Sequence, residues 1–172
     1  MIRYLIRKKL ASEERKLGAS LDYARHIVRV SLRAFFHFAR VLPLASYRRA
    51  LPVAPCHVAR LAAIRDADCG TCVQIEANLA RAAGIPAEVV AAAARGKPEA
   101  LPQDLADVHR FATAVVTASG EEEELRETMR SRYGEEGLVE LALAIASCRV
   151  FPEVKRALGY AKSCAAVPLD LG

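Results

Sequence analysis

A chain of 172 residues, 53% of them hydrophobic, with no Trp and a formal charge of +5, is long enough for one domain with a proper core and too short for two comfortable ones. Its wealth of Ala, Leu, Arg and Glu and its few aromatics favour helices over strands and exclude a disordered or fibrous class. Five cysteines, odd in number and unevenly spaced, exclude the disulfide framework of a small secreted domain.

The N-terminus has charges on both sides of a very short apolar run and no cleavage site, so it does not read as a secretory signal. A first helix is predicted from Ile2 to Leu17, stopped by Gly18, and a second from about Asp22 to Leu42, stopped before Pro43. In the second, Val28, Leu32, Phe35, Ala39 and Leu42 form an apolar stripe, while His26, Arg29, Arg33, His37 and Arg40 line another face. Those charges interrupt the stretch from Ile27 to Leu44 and make it a poor membrane span. A reducing cytoplasm is the expected compartment.

Charge is unevenly spread. Residues 1–65 hold 14 basic and 3 acidic side chains, and the remainder holds 11 and 17. The plainest expectation is that the basic third lies on the acidic remainder, within one subunit or across an oligomer interface. The alternatives are an acidic protein partner or peripheral contact with an anionic membrane, which a basic amphipathic helix suits. No nucleic-acid-binding module is recognisable, so nucleic acid is not an expected partner.

After a connection from Pro43 to Pro55, a helix is expected from Pro55 to about Asp66 and another from near Asp68 to Gly84, with Asp66 and Asp68 as candidate N-caps. Further helices are expected at Pro86–Arg95, Pro102–Ala118, Glu121–Arg132, Glu136–Val150 and from Pro152 to about Cys164. The fold class is therefore all-α, a compact helical bundle. Residues 1–50 form a basic helical extension and residues 51–172 the main domain, in a single compact unit.

The segment Cys69-Gly70-Thr71-Cys72 puts two thiols three residues apart at a helix start, where they can close a disulfide and where N–H groups and the helix dipole stabilise a thiolate. Glu76 follows Cys72 by one turn on nearly the same face, within reach of its sulfur directly or through water. A carboxylate alone would raise the thiol pKa, so a partner able to carry positive charge is needed. His57, near the start of the preceding helix, is the candidate, because a tight turn between antiparallel helices can bring the two together. Thiol, imidazole and carboxylate are the parts of a proton relay at sulfur. The same two cysteines are also half of a zinc site, lacking a second Cys-x-x-Cys or a His pair at ligand spacing, or are buried structural thiols.

The spacing His57, eleven residues, Cys69-x-x-Cys72, three residues, Glu76 resembles the alkylhydroperoxidase D-like branch of the carboxymuconolactone decarboxylase superfamily. There a Glu occupies the first position and a His the last, so acid and imidazole have changed places here. The resemblance extends through Arg60-Leu61-Ala62-Ala63, Asn78 to Gly84 and Leu138 to Ala142. It implies an all-α fold, trimers or hexamers of the chain, and peroxide or disulfide reduction in antioxidant defence. The electrons would come from a dithiol donor, either a lipoyl-bearing protein or a peroxiredoxin partner, with no cofactor or metal. It further implies that Cys72 attacks and becomes a sulfenic acid, that Cys69 resolves it to a disulfide, and that His57 and Glu76 form a proton relay with exchanged duties; the expected direction is that His57 takes the thiol proton while Glu76 holds or charges the imidazole. The rival expectations are a lactone-processing enzyme of the same superfamily and a non-catalytic scaffold or membrane-surface module built on the N-terminal third.

Cys148 falls on a core stripe with Leu138, Leu141 and Ile145, and Cys164 is equally bland. Cys56 adjoins His57, but neighbouring helical positions point about 100° apart. His109 is expected at the edge of a buried face.

Overall fold

A computed structural model describes residues 1–162 and residue 170. It is all-helical. The described residues form nine α-helices: α1 Ile2–Leu17, α2 Asp22–Val30, α3 Leu32–Ala39, α4 Val41–Ala45, α5 Val53–Asp66, α6 Gly70–Ala82, α7 Ala87–Arg95, α8 Gln103–Thr117 and α9 Glu122–Ala157, with one 3-10 turn at Pro98–Ala100.

Helix α5 is the centre. It packs against α6, α7, α8 and α9 and buries Pro55, Cys56, Val58, Ala59, Leu61, Ala62, Ala63 and Ile64. A helix apolar on most of its circumference has to be surrounded, and burying a residue such as Leu61 or Val58 stabilises the fold by about 1.5–3 kcal/mol. The main core runs from Leu51 to Cys148. A separate small cluster of Leu21, Tyr23 and Ala24, with Phe35, Phe38 and Val154 against it, holds the N-terminal helices.

Several expected boundaries move. The single helix expected from Asp22 to Leu42 is three helices. It breaks first at Ser31, whose backbone is extended (φ −150°, ψ 111°) and whose hydroxyl accepts from the Ala34 N–H at 3.1 Å, so the serine caps α3 rather than continuing α2. Part of the expected Pro43 to Pro55 connection is helical, since α4 includes Pro43. Helix α6 starts at Gly70, two residues later than expected: Asp68 adopts φ 46° and Cys69 is the N-cap. The expected break at Pro152 is absent, and α9 continues through it to Ala157. The break near residue 134 is real, for Gly134 inside α9 sits at φ 69°, ψ 177°, a conformation that L side chains rarely adopt.

Within the basic first 65 residues, Arg60 of α5 pairs with Glu76 of the acidic remainder, in contrast to the basic helices before it. Among the described residues their ion pairs stay local, as Lys16–Glu13, Arg25–Glu14 and Arg25–Asp22. Attachment is apolar and edge-on aromatic: Tyr23 meets Phe38 with ring centroids 5.9 Å apart, and Phe38 meets Phe151 of α9 at 5.7 Å. One polar clamp adds to this. Glu140, 1% exposed, accepts from the backbone N–H groups of Arg49, Ala50 and Leu51 at 2.7 to 3.1 Å. Burial pushes its carboxyl up, but those donors outweigh burial and hold it below the ordinary carboxylate value.

Candidate thiol site

The turn after α5 aims the dithiol. Asp68 in the left-handed region reverses the chain, which makes Cys69 the N-cap of α6 and places Cys72 in its first turn. The two sulfurs lie 2.8 Å apart and share a hydrogen bond. Cys69 is fully buried and Cys72 nearly so.

The shared hydrogen bond acts oppositely on the two thiols. It holds Cys69 down to about 6, helped by the Cys72 backbone N–H and the charges of Lys155 and Arg156 and opposed by burial. It pushes Cys72 well above the ordinary thiol value, with burial adding to the rise and Lys155 opposing it. One proton is thus shared between the two sulfurs, and Cys69 is the more easily ionised of the pair.

Cys72 lies on the wall of a cavity of about 750 Å³, together with His57, Glu76, Arg60, Tyr23 and Lys155. The expected meeting of His57 and Glu76 takes place: the imidazole Nδ1 is 2.7 Å from Glu76 Oε1. The second oxygen, Oε2, is 2.8 Å from an Arg60 Nη2. Glu76 is 1% exposed, and its two oxygens are engaged by imidazole and guanidinium rather than by sulfur. A carboxylate can only accept, so Nδ1–H donates to Glu76, and Nε2 is the ring nitrogen that Glu76 does not engage.

Three residues here escaped the sequence reading. Arg60 supplies the permanent positive charge first assigned to His57, and its position three residues after His57 on the same helix was the available signal. Lys155 and Tyr23 had none, because they arrive from α9 and α2 through long-range packing. The Lys155 ammonium lies 5.1 Å from the Tyr23 ring centroid, a cation–π distance. The Tyr23 hydroxyl is pushed up by burial and by the neighbouring Cys72 and Cys69.

Of the remaining cysteines, Cys56 and Cys148 border the same cavity. Both are pushed up by burial, Cys148 to about 12. Cys164 lies outside the described residues. His109 is deeper than the expected edge position: it is 5% exposed, with Nε2 3.2 Å from the Ala93 carbonyl, and burial lowers its pKa. No group of three or more His, Cys, Asp or Glu among the described residues is placed to hold a metal ion. None of the described helices is long and apolar enough to cross a membrane. The chain matches no family model, no curated protein and no solved structure.

Proposed function

We propose that the chain is a thiol oxidoreductase that reduces peroxides or disulfides through Cys69 and Cys72. The observation that carries this reading is a proton-sharing sulfur pair at a helix N-terminus, with one sulfur on a cavity wall beside a carboxylate-held imidazole. In a peroxidatic turnover the shared proton moves to Cys69, and the Cys72 thiolate attacks the distal peroxide oxygen. The O–O bond breaks, an S–O bond forms, and the departing oxygen is protonated. Cys69 then attacks the sulfenic sulfur, water leaves, and the disulfide closes. A dithiol donor restores the pair by exchange. His57, fixed by Glu76, moves protons between the cavity and the sulfurs.

The spacing of His57, Cys69, Cys72 and Glu76 supports placing the chain in the alkylhydroperoxidase D-like family, with homo-oligomers, a lipoyl-type or peroxiredoxin donor and a reducing cytoplasm as parts of the same proposal. Exposed apolar residues such as Leu42, Leu44 and Val139 support contact with a second copy or another surface.

The test is hydroperoxide consumption with a small dithiol donor in the intact protein, Cys69→Ser and Cys72→Ser. Turnover should fall by about 10³-fold or more without Cys72 and should stall at the sulfenic acid without Cys69. His57→Gln should lose about 10²-fold. An intact protein that consumes no peroxide or disulfide substrate and whose thiols resist alkylation at neutral pH overturns the reading.

A further inference from the structure

Five polar or charged side chains are buried among the described residues. Four have plain partners: Glu76 binds His57 and Arg60, Glu140 binds three backbone N–H groups, His109 lies against the Ala93 carbonyl, and the Ser147 hydroxyl donates to the Leu143 carbonyl. Lys155 is different. It is 3% exposed, and among the described residues no ion pair joins it to a carboxylate. Two carboxylates border the cavity, Glu13 and Glu76. The first binds Lys16 and the second is spent on His57 and Arg60. A buried ammonium is costly unless something offsets it. What faces Lys155 is the Tyr23 ring and the cavity wall it shares with Cys72, where its positive charge favours the ionised form of both thiols.

We propose that Lys155 is a catalytic residue, serving both as the counter-charge of the dithiol's thiolate and as the donor of the second proton that peroxide reduction consumes. The proposal rests on the oxidoreductase reading above. One thiolate, one thiol, the Lys155 ammonium and ROOH become a disulfide, the neutral Lys155 amine, ROH and water. The two sulfurs give up two electrons to the O–O bond, the thiol supplies one proton, and Lys155 supplies the other. The buried group is neutral in both states, as a cation with an anion before oxidation and as an amine with a disulfide after it. If Lys155 kept its proton, oxidation would strand a bare cation beneath the Tyr23 ring.

Other charged groups face this cavity without being able to take that part. A guanidinium is no proton donor in a protein, which excludes Arg48 and Arg60; the His57 Nδ1–H is held by Glu76, and Lys9 is exposed. Arg156, next along α9, donates to the Ala67 and Asp68 carbonyls.

Two variants and one proton count test the proposal on the full chain. In reduced Lys155→Met, the pH midpoint of iodoacetamide alkylation should rise by about one unit or more, and hydroperoxide turnover should fall about tenfold or more. In Lys155→Arg, which keeps the charge but cannot release a proton, the midpoint should stay near the parent's while turnover falls as in Lys155→Met. Stoichiometric oxidation of the parent by hydroperoxide in a pH-stat needs no variant, and it should take up no proton from solvent near pH 7. An unmoved midpoint in Lys155→Met overturns the counter-charge, and parental turnover in Lys155→Arg or uptake of one proton per disulfide overturns the donor role. A parent without peroxide turnover sinks the oxidoreductase reading instead, while the alkylation profiles still decide whether Lys155 faces a thiolate.

Discussion

Helices α1 and α5 are of similar length, 16 and 14 residues, yet α5 buries eight side chains and α1 buries none. The main core is held everywhere along its helices, whereas the N-terminal helices are held at a few points: the Glu140 clamp, the Tyr23–Phe38–Phe151 rings, and the Asn78 amide donating to the Leu17 carbonyl at 2.9 Å. The point-held region nonetheless supplies Tyr23, the ring beneath the buried cation at the dithiol. An element can border the chemistry while adding little to the stability of the core.

That contrast can be broken or sharpened by substitution. The largest effect should come from Glu76→Ala, which leaves Arg60 and His57 without their buried carboxylate; a loss of about 3–5 kcal/mol is expected, read from urea unfolding. Leu61→Ala at the centre of the core should cost about 2–5 kcal/mol by the same measurement. Glu140→Gln should lower the melting temperature modestly and speed limited proteolysis around residues 46–52, because a neutral amide is a poorer acceptor for three N–H groups; an unchanged digestion pattern would remove the clamp from the account. In the N-terminal helices, Leu10→Ala at a half-buried position should cost about 1 kcal/mol or less, and a loss as large as that of Leu61→Ala would mean that α1 is held as firmly as α5.

Acid titration probes the dithiol by itself. The Cys69 thiol, held down to about 6 in the fold, ionises there more readily than in an unfolded chain, where a thiol titrates near 8.5. Its contribution to stability is therefore complete above the unfolded value and is lost as pH falls through about 6. Reduced protein should lose stability between roughly pH 8.5 and 6 relative to Cys69→Ser, as measured by unfolding midpoints across that window.

Much of this was legible in the sequence, and the failures are instructive. Helix period and glycine or proline stops located α1, α7 and α8 closely, because their apolar positions and their ends agree. The second helix was overextended because an apolar run continues through Ser31, and its capping role depends on a backbone conformation that side-chain pattern does not reveal. Pro152 misled in the opposite direction: a proline usually starts a helix, but here it is buried inside one. At the site, the His57–Glu76 contact could be read from spacing because both residues lie on helices joined by a short turn. Lys155 could not, since it lies 83 positions after Cys72 and only the packing of α9 unites them.

Pro152 has one more consequence. A proline inside a helix deletes one N–H and crowds the carbonyl four residues back, which here belongs to Cys148, itself on the cavity wall. The last turn of α9, which carries Lys155, therefore follows a position at which the continuous helix lacks one backbone hydrogen bond. An exchange at position 152 thus acts on the backbone that carries Lys155 while leaving each residue on the cavity wall around the sulfurs unaltered.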